Sequence, residues 1–176
     1  EPHTFSFNSP KGACPECNGL GDRAVFDIEK IIPDASLSLR DGGVEPLGKY
    51  HNNMLFAMLE MLGHRHDFTL DDPLGTISRE GLNAILYGDS EPVAVNMSEF
   101  STVSGTRLVQ WMGVSEWIMR NEDEESAKGR KWREQFMARE ECPCCGGSRL
   151  KAEALYFRIG DKSIADVSAM SIVEFK

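Results

Sequence analysis

Two short cysteine motifs carry the clearest chemistry in this sequence. The first is Cys14-Pro-Glu-Cys17, followed by Asn-Gly-Leu-Gly, and the second is Cys142-Pro-Cys-Cys145, followed by Gly-Gly. Two residues between the cysteines let one tight turn direct both sulfurs at a single ion, and the proline fixes φ in that turn. The glycines permit backbone conformations that other residues resist. Each motif therefore predicts half of a tetrahedral metal site.

Together the motifs predict one zinc ion held by four sulfur ligands, Cys14, Cys17, Cys142 and Cys145. Zinc bound to four thiolates at about 2.3 Å keeps no open position, so such a site is structural rather than catalytic. The two pairs are separated by 124 residues, and closing so long a loop is worth roughly 4–5 kcal/mol by analogy with other cross-links. We expect the side chain of Cys144, inside the second motif, to point away from the metal.

Three other interpretations of the cysteines stay open at this point. The pairs can be unrelated buried or redox thiols. A thiol oxidoreductase using Cys142 and Cys145 would cycle between thiols and a disulfide and carry no metal. A cysteine-rich zinc module of the DnaJ type, which binds unfolded polypeptide, also uses C-x-x-C-x-G-x-G half-sites, but it would show several closely spaced repeats where this chain has two distant ones.

Composition and charge restrict the class of protein. The hydrophobic fraction of 41% and the charged fraction of 27% are typical of a folded globular protein. No apolar run approaches the roughly 18–20 residues of a membrane span, and no export signal precedes the cysteines, so we expect a reducing cytoplasm. The net charge of -9 argues against a nucleic-acid platform spread over the whole chain. Because the chain starts without Met, we expect an excised fragment.

Local patterns predict the elements that separate the cysteine motifs. Apolar residues at helical spacing predict helices at 51–62, ending before Gly63, and at 78–87, with Ser78 as N-cap. A third helix is expected at 123–139, with acidic residues in its first turn and with Trp132 and Phe136 on its buried face. Branched and aromatic residues predict strands at 92–97 and 106–112, which can form a hairpin, and at 153–159 and 162–165.

A cluster of positive charge stands out in this acidic chain. Lys128, Arg130, Lys131 and Arg133 fall within a few residues, and Arg149 and Lys151 follow the second motif directly. These six residues are the candidates for contact with DNA phosphates. The alternative for the first four is that they are solvated helix residues that pair with the acidic run at 122–125. His64 and His66 lack the neighbouring ligands of a metal site, and no catalytic arrangement is evident.

Five stretches closely resemble the first half of the UvrA family. The motif segments 5–21 and 142–155 match in continuous register, as does the tail at 163–172. Two shorter matches are Ile32-Pro-Asp-Ala-Ser-Leu-Ser-Leu39 and Ile85-Leu-Tyr-Gly88. In that family two ATP-binding-cassette halves are interrupted by zinc-bearing signature-domain elements, and the first half carries an insertion domain between its cysteine motifs.

The resemblance implies an α+β fold in which a small insertion domain separates the two halves of a four-cysteine zinc module. Residues 1–35 would hold the first motif, 36–140 the insertion domain, and 141–176 the second motif with its return strands. The implied role is DNA-damage recognition in nucleotide excision repair. ATP, UvrB and a second UvrA copy would be engaged by other parts of the parent protein, because this chain has no G-x-x-x-x-G-K-[ST] loop and no cassette signature. We therefore expect a non-catalytic piece of an ATPase.

Overall fold

The computed structural model describes residues 2–100, 105–120, 126–171 and 173, which combine helices and short strands. The chain divides into two compact units. Residues up to Val25 and from Ala138 onward form the first, and Phe26–Met137 form the second. The domain boundaries at 35/36 and 140/141 stay a prediction. No helix in the described part of the chain is long and apolar enough to cross a membrane.

The regular elements are short. The helices are α1 Ile28–Ile31, α2 Met54–His66, α3 Arg79–Tyr87, α4 Gly113–Arg120, α5 Ala127–Glu134, α6 Ala152–Leu155 and α7 Ile164–Ala169. The strands are β1 Asp22–Phe26, β2 Val93–Asn96, β3 Thr106–Val109, β4 Met137–Glu141, β5 Arg158–Ile159 and β6 Lys162–Ser163. In the described residues they form three two-stranded sheets, β1–β4, β2–β3 and β5–β6.

The second unit has a hydrophobic core built on α2. This helix packs against α3 and β2, and α3 packs against α4. Leu59 and Leu62 of α2, Ile85 of α3 and Val114 of α4 are fully buried. Burying each such side chain contributes about 1.5–3 kcal/mol relative to leaving it exposed. This core makes 26–137 a folded body with its own apolar interior.

Helix α2 overlaps the helix predicted at 51–62 but begins and ends later. It begins at Met54 because the Asn53 side chain accepts the Phe56 N–H at 3.0 Å, and it continues through Gly63 to His66. Asp67 ends it in the left-handed conformation, with φ of 55°. Gly63 is a packing residue rather than a stop, since a Cβ there would lie 2.3 Å from the Phe68 carbonyl oxygen.

The prediction for α3 and for the following hairpin is confirmed. The Ser78 hydroxyl accepts the Gly81 N–H at 3.0 Å at the start of α3, and Gly88 follows its last residue. Strands β2 and β3 pair antiparallel over Val93–Asn96 and Thr106–Val109. Val93 and Val95 are buried while the residues between and after them are exposed, as expected of a strand with one face on a core.

The predicted helix at 123–139 is only partly right. Helix α5 begins after its N-cap Ser126 and ends at Glu134, and Met137–Glu141 form strand β4. The chain leaves the helix there because β4 pairs with β1, more than 100 residues earlier, which local pattern cannot reveal. Phe136 is buried, as expected, and Trp132 meets it edge to face at 5.1 Å. The acidic run at 122–125, which includes the first three residues of the predicted helix, lies outside the described residues.

In the first unit the predicted strand at 153–159 is largely wrong. Ala152–Leu155 form helix α6, and only Arg158–Ile159 pair with Lys162–Ser163. Ala, Glu and Leu are strong helix formers, and they decide the conformation where no partner strand is available. The predicted strand at 162–165 gives way after Ser163 to α7, where Ser163 and Asp166 form a capping box.

Candidate metal centre

The four predicted cysteines lie together in the first unit. The sulfur atoms of Cys14, Cys17, Cys142 and Cys145 all lie within 4.8 Å of one another, and all four residues are buried. Two sulfur pairs reach across between the motifs, Cys14 to Cys142 at 4.0 Å and Cys17 to Cys145 at 3.7 Å. The two motifs thus converge on one point despite their separation in sequence.

Reciprocal backbone hydrogen bonds hold the motifs against each other. The Cys14 N–H donates to the Arg149 carbonyl, and the Cys142 N–H donates to the Gly21 carbonyl, both at 2.9 Å. The Lys151 N–H also donates to the Gly12 carbonyl at 2.9 Å. Because these bonds fix both chain segments, the convergence of the sulfurs does not depend on the side chains alone.

The two motifs share one backbone conformation, which sequence reasoning overlooked. In the first, Asn18, Gly19 and Gly21 have φ values of 50°, 82° and 86°. At the same offsets the second has Gly146, Gly147 and Arg149, with φ values of 51°, 72° and 68°. The shared C-P-x-C-x-G spacing was the available signal. Arg149 therefore occupies the position that glycine holds in the first motif.

Backbone N–H groups also point at the sulfurs. The Gly21 N–H donates to Cys17 Sγ at 3.2 Å. Burial raises the pKa of the Cys145 thiol to about 12, although the Arg149 N–H opposes it. At Cys14 burial also raises the pKa of the thiol. Hydrogen bonds from the backbone of Cys17 and Glu16, and weaker ones from the Cys144 and Cys17 side chains, outweigh burial and lower that pKa to about 7. N–H groups that donate to a thiolate stabilise its negative charge, which suits a metal ligand.

The donor set fits a tetrahedral metal ion. Four sulfurs at about 2.3 Å from zinc lie about 3.8 Å apart, and the two cross-motif sulfur distances in the structure bracket that value. Four thiolates in a tetrahedral arrangement select zinc or iron, and such a set leaves no open position, as in a structural site. The four cysteines can therefore hold a metal ion. Cys144 is exposed and is not part of the group.

The six predicted DNA-binding residues fall in two places. Lys128, Arg130, Lys131 and Arg133 all belong to α5 in the second unit. The first three are exposed, and Arg133 is half-buried. Gly129 is buried and Trp132 half-buried on the side that packs on the core. Arg139, the next basic residue, is ion-paired with Asp22 at 2.6 Å.

Arg149 and Lys151 lie in the first unit, beside the cysteines. The Arg149 guanidinium lies over the Phe7 ring, 5.5 Å from its centroid, and no ion pair to it occurs among the described residues. The Lys151 ammonium donates to the Pro10 carbonyl at 2.9 Å. Lys151 therefore helps to join the motifs, whereas the Arg149 side chain donates no hydrogen bond to another described residue.

His66 takes part in a group of hydrogen-bonded side chains. His66 Nε2 lies 2.8 Å from an Asp89 carboxylate oxygen, which also accepts from Arg65 at 2.9 Å. His64 is exposed. Across residues 2–100, 105–120, 126–171 and 173, the four cysteines are the group of potential metal ligands that comes together.

Comparison with known proteins gives consistent matches. The family model described as the UvrA DNA-binding domain matches residues 27–135. UvrABC system protein A of Mesorhizobium japonicum is 39% identical across 98% of this chain, and that of Thermus thermophilus is 36% identical across 99%. The matched part is 18% and 19% of those relatives, so the chain spans about a fifth of their length.

A solved structure agrees with these sequence matches. UvrA2 from Deinococcus radiodurans superposes with a TM-score of 0.69 at 25% identity, covering 98% of this chain and 22% of that one. Both the sequence and the backbone of nearly the whole chain therefore have counterparts in proteins of one kind.

Proposed function

This chain belongs to the UvrA family, and from that membership we propose that it is a non-catalytic, DNA-contacting part of a UvrA protein that acts in nucleotide excision repair. The observation that carries the proposal is the match of residues 27–135 to the UvrA DNA-binding domain. That range includes α5 and most of the second unit. In a chain with a net charge of -9, DNA contact must be local, and α5 is where positive charge is concentrated.

Helix α5 supports this role by its arrangement of charge. Its inner side is anchored by Trp132, which meets Trp117 at 5.9 Å and Phe136 at 5.1 Å. Arg130 and Lys131 are exposed on the helix. Exposed cations on an anchored helix suit contact with the sugar-phosphate backbone, which positions a protein on DNA without reading its sequence.

For the cysteine group we propose one structural zinc ion held by Cys14, Cys17, Cys142 and Cys145. When bound, zinc supplies a rigid four-sulfur cross-link and no open position for substrate. This chain contributes the ligands, the N–H groups that donate to them and the backbone bonds that join the motifs. The cross-link would close the loop that contains the second unit and restrict the unfolded chain.

The remaining activities of a UvrA protein are assigned to the rest of a longer chain. We propose that ATP is bound there, since the residues present offer no phosphate-binding loop. Contacts with UvrB and with a second UvrA copy are likewise proposed for regions beyond these 176 residues. The reducing cytoplasm proposed for the chain is consistent with cysteines that form no disulfide.

Duplex binding by the zinc-loaded chain tests the function. We expect weak association whose logarithmic affinity falls with the logarithm of salt concentration. Arg130→Glu combined with Lys131→Glu removes two phosphate contacts and should reduce the slope by about 1.8. Fluorescence anisotropy of a labelled duplex between 50 and 200 mM salt measures both quantities.

The control makes the same change in net charge elsewhere on the second unit. Arg79→Glu combined with Arg107→Glu reverses two exposed arginines outside α5, and we expect this pair to retain most of the affinity and the original slope. Equal loss in both double variants would show that general charge, and not α5, sets the binding. An unaltered chain that fails to bind duplex at low salt would refute the proposed function.

A further inference from the structure

The first unit carries an apolar groove with a volume of about 430 Å³. Its apolar side chains come from the start of the chain, from the β5–β6 hairpin with the residue before it, and from α7: Phe5, Phe157, Ile159, Ile164 and Val167. The Phe5 and Phe157 rings meet edge to face at 5.3 Å. The groove shares no residue with the cysteine group or with α5, so neither the proposed zinc site nor the proposed DNA contact accounts for it.

The side chains around this groove are exposed to a degree that is unusual for their size. Ile159 is 86% exposed, Tyr156 81% and Phe157 61%, which places three large apolar side chains in solvent within four consecutive positions. Helix α7 contains no buried residue, although Ile164 and Val167 are apolar. Contiguous exposed apolar surface marks a place where another molecule or segment packs, because burial of that surface is favourable.

The hairpin beneath the groove is too small to stand alone. Strands β5 and β6 have two residues each, and in the described residues they form a separate two-stranded sheet. A two-stranded hairpin is marginally stable in water unless further strands or a helix cover one of its faces. The exposed apolar side chains of the hairpin therefore indicate a missing layer of structure.

Positive charge lies in the wall of the groove beside the apolar side chains. Arg158 and Lys162 both line it and are exposed. Arg158 donates to the Asp161 carbonyl at 3.2 Å, and neither cation forms an ion pair with a described residue. Asp166 interacts with both charges, but its carboxylate is outside the groove wall and accepts from the Ser163 N–H and hydroxyl. A complementary segment is apolar where it enters the groove and carries carboxylates at its edge.

A second copy of this chain is a poor occupant. A two-fold contact sets the same surface of each copy against itself, so Arg158 and Lys162 of both copies would meet, and such like-charge contacts are unfavourable. A longer polypeptide offers a better one. This chain spans about a fifth of the length of its UvrA relatives, and the remaining four-fifths or so of such a protein has to pack against the part that is present here.

We propose that the groove receives a segment of the same UvrA polypeptide that lies outside these 176 residues. Its apolar side chains pack on Phe157 and Ile159, and its carboxylates pair with Arg158 and Lys162. The inference rests on the proposed assignment of this chain to a longer UvrA protein and does not depend on DNA contact. The incoming segment turns the β5–β6 hairpin, which is weak on its own, into part of a shared core.

Photo-crosslinking in the full-length protein identifies the occupant. With p-benzoylphenylalanine in place of Ile159, irradiation should give a monomer-sized product in which position 159 is joined to a peptide from outside the 176 residues, as located by mass spectrometry. The same group in place of Leu108, which is 72% exposed on β3, is the control and should not attach to that peptide. If position 159 gives no crosslink, or only crosslinks between two copies or within the 176 residues, the proposal is wrong.

Dye binding tests the chemistry of the groove without any change to the fold. Anilinonaphthalene sulfonate combines an apolar body with one negative charge, and the 176-residue chain should bind it. Phe157→Ser with Ile159→Ser should weaken this binding about 10-fold, and Arg158→Gln with Lys162→Gln about 3-fold, while Leu108→Ser should leave it unchanged. In the full-length protein, where the groove is filled, the serine pair should not alter dye affinity.

An equal loss of dye affinity in both proteins would show that the groove stays open and would overturn the proposal. Duplex binding plays no part in either measurement. A chain that fails to bind duplex therefore refutes the proposed function and leaves the groove to be decided by the crosslink.

Discussion

Replacing Gly113 by alanine should strongly destabilise the second unit. Gly113 has φ of 92°, and an added Cβ would lie 2.4 Å from the Tyr87 carbonyl carbon, 2.5 Å from the Gly88 nitrogen and 2.7 Å from the Leu86 oxygen. All three are backbone atoms, so the contact cannot be relieved by a change of side-chain rotamer. The left-handed conformation costs about 1–2 kcal/mol for alanine, and forcing atoms into a packed contact adds about 1–3 kcal/mol. We therefore expect a total loss of about 2–5 kcal/mol.

Gly105→Ala provides the matched control. Gly105 has φ of 108°, but an added Cβ would meet no atom of the described residues within 4 Å. This variant should lose only the conformational part, about 1–2 kcal/mol. Urea unfolding followed by tryptophan fluorescence measures both variants, since all three tryptophans lie in the second unit. A Gly113→Ala chain as stable as Gly105→Ala would refute the close approach of α4 to the end of α3.

Two further substitutions test the interior of the second unit. Asp89→Asn should cost about 2 kcal/mol at pH 7, because hydrogen bonds from His66 and Arg65 hold the pKa of Asp89 well below its ordinary 3.8. That contribution to stability is present above about pH 4 and is lost as pH falls through the lowered pKa. The urea midpoints of the variant and the parent should therefore converge in acid. A difference in urea midpoint that does not change with pH would contradict this. Trp111→Phe should cost about 1–2 kcal/mol in thermal unfolding, since the buried indole N–H donates to the Ala84 and Ile85 carbonyls at 3.0 and 3.2 Å; an unchanged midpoint would contradict the bond.

Sequence reasoning succeeded where local signals and chemistry act alone. The start of α3 followed from Ser78, and the β2–β3 hairpin followed from alternating apolar residues on both sides of a polar stretch. The convergence of four cysteines followed from matching motif chemistry, since two half-sites need each other to complete one coordination shell. These inferences did not require knowledge of the rest of the fold.

It failed where a distant partner or a close contact decides the conformation. Strand β4 forms because β1 is available to it, and the local residues carry no strong strand signal. Gly63 resembled a helix stop but allows the Phe68 carbonyl to approach. The strained Arg149 was visible only once its φ could be compared with that of Gly21. In each case the deciding interaction joins residues that no local pattern connects.

Metal content tests the central claim most directly. The chain, purified under reducing conditions, should contain one zinc ion, with four sulfur neighbours at about 2.3 Å by X-ray absorption spectroscopy. Cys14→Ser and Cys145→Ser should lose the ion, whereas Cys144→Ser should keep it. A carefully reduced chain that is folded but free of metal, or one whose metal survives replacement of Cys145, would contradict a single ion shared by the two motifs.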